Sequence, residues 1–287
     1  MQVEAVLSQT LHGRVYAARD SSGRLVALKE LVFALAPDAK AIDLFEREAR
    51  LLASLEHPAI PRFVQSFREG FGVHLRLYLA QELAAGMPLS ARLLKGPLTE
   101  DEVRGLARQA LAVLGYLHSR RVLHRDVKPA NVILRPDGSL ALVDFGVARE
   151  LLREVTHGGT LVGTFGYMPV EQLGGTVDAR SDLYALGATL LHCLTGISPG
   201  ELLKPDLTLD TRRAGALKPW LDKLVALRRE DRFADAQAAL TALDQPERAL
   251  RPRWRDRLRA FFLRGRPQTP AWPDLVRLPP PGGRIQL

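Results

Sequence analysis

The chain reads as an α+β protein whose strands come first and whose helices dominate the remainder, and three observations carry that reading. Short apolar runs of strand length, separated by glycine-bearing turns, occupy much of the sequence before residue 83. Longer segments with helical spacing follow, the clearest opened by Thr99-Glu100-Asp101-Glu102. Between the regular segments, at 124–131 and 144–146, charged and amide side chains stand at set intervals on loops, where a rigid scaffold usually displays its chemistry.

The elements follow in order. Residues 15–18 and 25–29 form two short strands around the turn Asp20-Ser21-Ser22-Gly23. Residues 38–55 place Ile42, Phe45, Ala49 and Leu52 at i, i+3, i+7 and i+10, one face of a helix that stops before His57-Pro58, because proline disfavours helical backbone in the residue before it. A second hairpin is expected from 63–67 and 73–80 around Gly70-Phe71-Gly72. Thr99 as N-cap with Glu102 at N3 starts a helix that runs to about Ser119. Residues 132–135 and 140–143 are strand-like and flank Pro136-Asp137-Gly138, so both chemically loaded stretches fall at strand ends.

Composition excludes several classes. With 287 residues, 46% hydrophobic and 25% charged, the chain is long and apolar enough for a substantial core, and wholesale disorder is excluded. The single cysteine, Cys193, lies in an apolar helical run; no disulfide can form within the chain, in keeping with a reducing compartment. No apolar run approaches the roughly 18 residues needed to span a bilayer, and Met1-Gln2-Val3-Glu4 lacks a signal segment, so a cytoplasmic protein is expected. The net charge of +8 is unevenly placed: from Pro246 to Leu287 ten arginines stand against Glu247, Asp256 and Asp274. The basicity therefore belongs to a tail and is no argument that the folded body binds nucleic acid.

The most specific signal is His124-Arg125-Asp126-Val127-Lys128-Pro129-Ala130-Asn131, followed by Asp144-Phe145-Gly146. Alone, an aspartate before a turn usually caps that turn. Eight fixed letters at set spacing, however, arise by chance with a probability on the order of ten to the minus ten per position.

These residues resemble the signature of the protein kinases, and from about Val6 to about Leu243 the chain resembles serine/threonine protein kinases of the compact bacterial type. The resemblance implies a two-lobed fold, with a small mainly-β lobe over about 1–83 and a larger mainly-α lobe over about 84–245, that binds ATP and magnesium and phosphorylates proteins in signalling. Under it, Asp126 accepts or orients the substrate hydroxyl proton, Lys128 offsets charge on the γ-phosphate, and Asn131 and Asp144 hold magnesium. Lys29, ending Val26-Ala27-Leu28-Lys29, takes the α- and β-phosphates and pairs with Glu48. Leu7, Gly13, Val15 and Ala27 line the nucleotide site, and the Glu82 carbonyl with the Leu83 backbone meets the adenine edge. Gln81 falls at the back of the pocket, where a larger apolar residue is usual. Thr164 approaches Asp126, Glu171 pairs with Arg232, and Asp182 binds backbone N–H groups of the catalytic loop. Arg125 receives a phosphate carried by Thr156 or Thr160. Lysine two residues after the aspartate is the serine/threonine pattern.

Two departures stand beside the likeness. Ser8 and Thr10 occupy the first two positions of the family's glycine-rich loop, where added Cβ atoms would stiffen the backbone, and the usual Ala-Pro-Glu reads Pro169-Val170-Glu171. They leave open a nucleotide-poor scaffold that signals by binding, which intact Lys29, Glu48, Asp126, Asn131 and Asp144 oppose. A kinase for small molecules is opposed by Gly163-Thr164-Phe165-Gly166-Tyr167 and by the helix start at Ala179-Arg180-Ser181-Asp182. In the tail, Trp254, Leu258, Phe261 and Phe262 fall on one helical face, followed by Pro279-Pro280-Pro281 in extended conformation. Docking on the body, lying on an anionic membrane, or capturing a protein partner all suit such a segment.

Overall fold

Five strands build the amino-terminal sheet in the order β1-β2-β3-β5-β4, every pair antiparallel. They are β1 (Gln2–Thr10), β2 (Gly13–Arg19), β3 (Leu25–Leu31), β4 (Phe63–Glu69) and β5 (Arg76–Glu82). The structure, a computed structural model, describes residues 1–10, 13–31, 39–144 and 166–245. Helix α1 (Ala39–Ala53) lies between β3 and β4 and buries Phe45, Ala49 and Leu52, the stripe its spacing announced.

Two details of this lobe differ from the sequence reading. β1 is a full strand at the sheet edge, with Ser8 paired to Val15, Gln9 to Arg14 and Thr10 to Gly13, so the expected phosphate loop is strand as far as Thr10. Its register shifts at Val3/Ala5 and Val6/Ser8, and Val3, Val6 and Leu7 are exposed; bulges interrupt the period of two by which a strand is recognised. The second hairpin resumes at Arg76, not at 73, because Gly72–His74 forms a 3-10 turn. Gly70 there has φ +77°, and a Cβ would come within 2.5 Å of the His74 carbonyl oxygen.

The second lobe begins with β6 (Met87–Pro88), α2 (Leu89–Leu93) and α3 (Glu100–Ser119). The capping box is present, the Glu102 N–H donating to Thr99 Oγ1 at 3.3 Å and the Thr99 N–H to Glu102 Oε2 at 2.7 Å. A hairpin of β7 (Val132–Leu134) and β8 (Leu140–Leu142) follows, then α4 (Val170–Leu173), α5 (Ala179–Thr195), α6 (Pro199–Leu202), α7 (Lys218–Leu224) and α8 (Ala236–Asp244). Helix α5 is buried on all sides from Ser181 to Leu191, which makes it the axis of the lobe. Gly187 permits its crossing with α7, since a Cβ there would lie 2.7 Å from Leu224 Cβ and 2.8 Å from Val225 Cγ1. Cys193 is buried in the same helix, and burial pushes its thiol up to about 12, so it behaves as a small apolar residue.

The two lobes are tied behind the cleft. The Leu142 N–H donates to the Ala59 carbonyl at 2.8 Å, the Glu56 N–H donates to Tyr116 Oη at 2.7 Å, and the His57 ring packs on Tyr116 with centroids 4.8 Å apart. The expected tail segment, 246–287, lies outside the described residues.

Candidate active site

The β7–β8 hairpin creates the site by register. Val132 faces Leu142, and one rung further the Val143 N–H donates to the Asn131 carbonyl at 2.9 Å, so Asn131 and Asp144 end up at neighbouring strand ends. His124 adds a second tie between the same loops. Its imidazole is fully buried, and burial lowers its pKa despite the nearby carboxylates of Asp182, Asp126 and Asp144. The ring is therefore neutral: Nδ1 accepts from the Asp126 N–H at 3.3 Å, which leaves Nε2–H to donate to the Val143 carbonyl at 3.2 Å.

The catalytic loop is held from below by α5. Asp182 accepts from the Arg125 N–H at 2.8 Å and from the His124 N–H at 2.9 Å, the contacts expected of it, and also lies 2.9 Å from His118 Nε2. Thr189 Oγ1 reaches the Val127 carbonyl at 3.3 Å. Arg125 sits at φ +65° and Asp144 at φ +58°, conformations costing roughly 1–3 kcal/mol each that persist where the surroundings over-determine them.

At the centre, Asp126 Oδ2 accepts from Lys128 Nζ at 2.7 Å and from Asn131 Nδ2 at 2.9 Å, and Asn131 Nδ2 also donates to the Asp126 carbonyl at 2.8 Å. Lys29 reaches across from β3 to bond Asp144 Oδ1. Burial acts to raise the Asp144 carboxyl pKa, but the Lys29 ammonium, helped by Lys128, holds it below the usual carboxylate range. Asp144 is thus a carboxylate at neutral pH, as a metal ligand must be.

On the sheet, Val15 lies opposite Lys29, while Ala17 and Gln81 flank Ala27 on adjacent strands, so these side chains share one face. Gln81 turns its amide to the Pro61 carbonyl at 3.2 Å. The Leu83 N–H donates to the Leu25 carbonyl at 3.5 Å, the outer limit for such a bond, and the Glu82 N–H to Arg62 at 2.8 Å. A cavity of about 790 Å³ beside Glu82 and Leu83, walled by Pro61 and Arg135, is lined by none of Lys29, Asp126, Asn131 or Asp144. Leu7 is exposed on β1, and Gly13 is required by packing, since a Cβ would lie 2.4 Å from the Glu30 carbonyl oxygen.

The Glu171–Arg232 pair is present, bidentate at 2.6 and 3.1 Å, with Ser181 Oγ donating to Glu171 at 2.9 Å. The Glu48 side chain and Thr156, Thr160 and Thr164 lie outside the described residues, and so do their expected contacts. Three side chains went unnoticed in the sequence: His118, Thr189 and Gln172, whose Nε2 donates to the Arg125 carbonyl at 2.9 Å. Their spacing from the loop carries no local signal; only the adjacency of Gln172 to Glu171 marked it.

Fold and loop pair together define the two-lobed protein kinase fold. Residues 2–218 match the family described as "Protein kinase domain", and the chain belongs to that family. Among curated proteins it is similar to "Serine/threonine-protein kinase B" of Synechocystis sp., 34% identical over 72% of this chain and 38% of that protein. It is likewise similar to "Serine/threonine-protein kinase PknA" of Nostoc sp., 36% identical over 69% of this chain and 38% of that protein. The chain therefore spans about two fifths of the length of these relatives. A solved structure titled "PpkA-294 apo form" superposes with a TM-score of 0.70 at 24% identity, covering 84% of this chain and 94% of that one, a likeness of fold.

Proposed function

We propose that the chain is an ATP- and magnesium-dependent serine/threonine protein kinase that transfers the γ-phosphate to protein hydroxyls and phosphorylates itself at Thr156 or Thr160. The observation that supports this best is the joining of Lys29, Asp126, Lys128, Asn131 and Asp144 into two adjoining sets of charge-assisted bonds, although Lys29 and Asp144 are 115 positions apart. Named relatives of serine/threonine type support the choice of acceptor.

In this reading Asp126 orients the substrate hydroxyl and takes its proton as the oxygen bonds to the γ-phosphorus. The bond from that phosphorus to the β–γ bridging oxygen breaks, and ADP leaves. Lys128, bonded to Asp126, offsets charge on the transferring group in this reading. Lys29 exchanges Asp144 for the α- and β-phosphates, with Glu48 steadying it. The donor set suits magnesium: Asn131 commits its amide nitrogen to Asp126, turning its amide oxygen away, and Asp144 adds a carboxylate, both hard oxygen ligands. When bound, the ion neutralises phosphate charge. Kinase residues 1–245, a basic, proline-rich tail with a short amphipathic helix over 246–287 and a cytoplasmic site of action complete the proposal; among the described residues no helix is long and apolar enough to cross a membrane.

The test is transfer of labelled γ-phosphate from ATP with magnesium to the chain itself and to a generic basic protein. Asp126→Ala should lower transfer at least about a hundredfold. Wild-type protein that is folded yet labels nothing would return the weight to the scaffold reading.

A further inference from the structure

Resting on the kinase reading, we propose that Gln172 is a positioning residue for phosphoryl transfer, fixing the peptide that aims Asp126. The peptide between Arg125 and Asp126 is gripped at both ends: its carbonyl accepts from Gln172 Nε2 at 2.9 Å, and its N–H donates to His124 Nδ1 at 3.3 Å. The preceding peptide is gripped at its N–H by Asp182 at 2.8 Å. Both planes that meet at the Arg125 Cα are therefore held, and Arg125 has φ +65°, which an arginine keeps only when its neighbours impose it. Gln172 is buried and the carbonyl it holds is partly buried, so loss of its amide removes a donor that solvent replaces poorly.

The origin of the contact gives it a second role. Gln172 sits on α4 directly after Glu171, which Arg232 and Ser181 clamp. Just upstream, Tyr167 Oη meets His192 Nδ1 at 2.5 Å, and Gly166 packs so tightly that a Cβ would lie 2.6 Å from the Gly200 nitrogen. The segment leading into α4 is thus seated on α5 and α6, and Gln172 transmits that seating to the residue beside Asp126.

Gln172→Met keeps the length of the side chain and removes the donor. With the full chain, kcat for phosphate transfer should fall about tenfold while the KM for ATP stays within about twofold, the effect of one partly buried acceptor losing its Gln172 donor expressed in rate. Amide exchange in a peptide covering residues 124–126 should quicken, whereas a role in packing alone would lower the melting temperature and leave that ratio and local exchange unmoved. Should Gln172→Met not fold, Gln172→Glu, which sets an oxygen against the Arg125 carbonyl, is judged by the same two readouts. Unchanged kcat with unchanged exchange in a folded variant overturns the proposal. If wild type transfers no phosphate the kinase reading falls instead, and the exchange comparison, which needs no turnover, still decides whether Gln172 holds the loop.

Discussion

Arg232 uses every donor it has. Its Nε bonds the Ala226 carbonyl at 2.7 Å, and its two terminal nitrogens share both Glu171 oxygens with the carbonyls of Arg180 and Leu227, each at 3.1 Å. An ammonium has three donors and no fork, so Arg232→Lys leaves buried acceptors unpaired. Removing the cation altogether, as in Arg232→Met, breaks a buried pair at about 3–5 kcal/mol, so the melting temperature should drop by about 10 °C in a calorimetric scan, with Arg232→Lys losing less. The same pair sets a pH dependence. Burial acts to raise the Glu171 pKa, but the Arg232 hydrogen bonds outweigh it, so the folded value lies below the unfolded one. The stability this contributes is present above the unfolded value of about 4.3 and is lost as pH falls through the folded value. Unfolding free energy measured against denaturant should decline below about pH 4.3 in wild type and decline less steeply in Arg232→Met. Both partners were readable from the family pattern, whereas the carbonyls around Arg232, those of Ala226 and Leu227 just upstream and of Arg180 in the first turn of α5, were not.

Among the elements, the close approaches make the sharpest demands. Gly187→Ala forces α5 away from α7, an overpacking cost of about 1–3 kcal/mol that thermal melting would register. Gly13→Ala pushes β2 from β3 beside Lys29, since the new methyl meets backbone at 2.4 Å. Its expected result is a raised KM for ATP together with a lower melting temperature; a rise in KM at unchanged stability would point to the phosphate loop alone. α1, α3 and its capping box were legible because period and caps are local. β1 was not, because bulges and an exposed edge erase the alternation, and β5 began late because a 3-10 turn took up residues 72–74.

For the whole molecule, a ligand that binds between the lobes should stabilise both. At a hundredfold excess over Kd the gain is about 2.7 kcal/mol, so ATP with magnesium should raise the melting temperature of wild type by about 5–10 °C. Asp144→Asn should lose the magnesium-dependent part of that shift while keeping the unliganded melting temperature near wild type, because the Lys29 contact it weakens is partly exposed.

Residue identity and spacing were enough to name candidates for the reacting groups, since phosphate chemistry admits few side chains in those places and the intervals leave little to chance. Which of them meet, and what holds them, was decided by tertiary structure. Lys29 on Asp144, the neutral His124 bridging two loops, and Gln172 behind Asp126 all depend on elements far apart in sequence. A strained loop leaves no local pattern; it exists because a buried helix and a clamped segment supply the hydrogen bonds that the loop cannot make for itself.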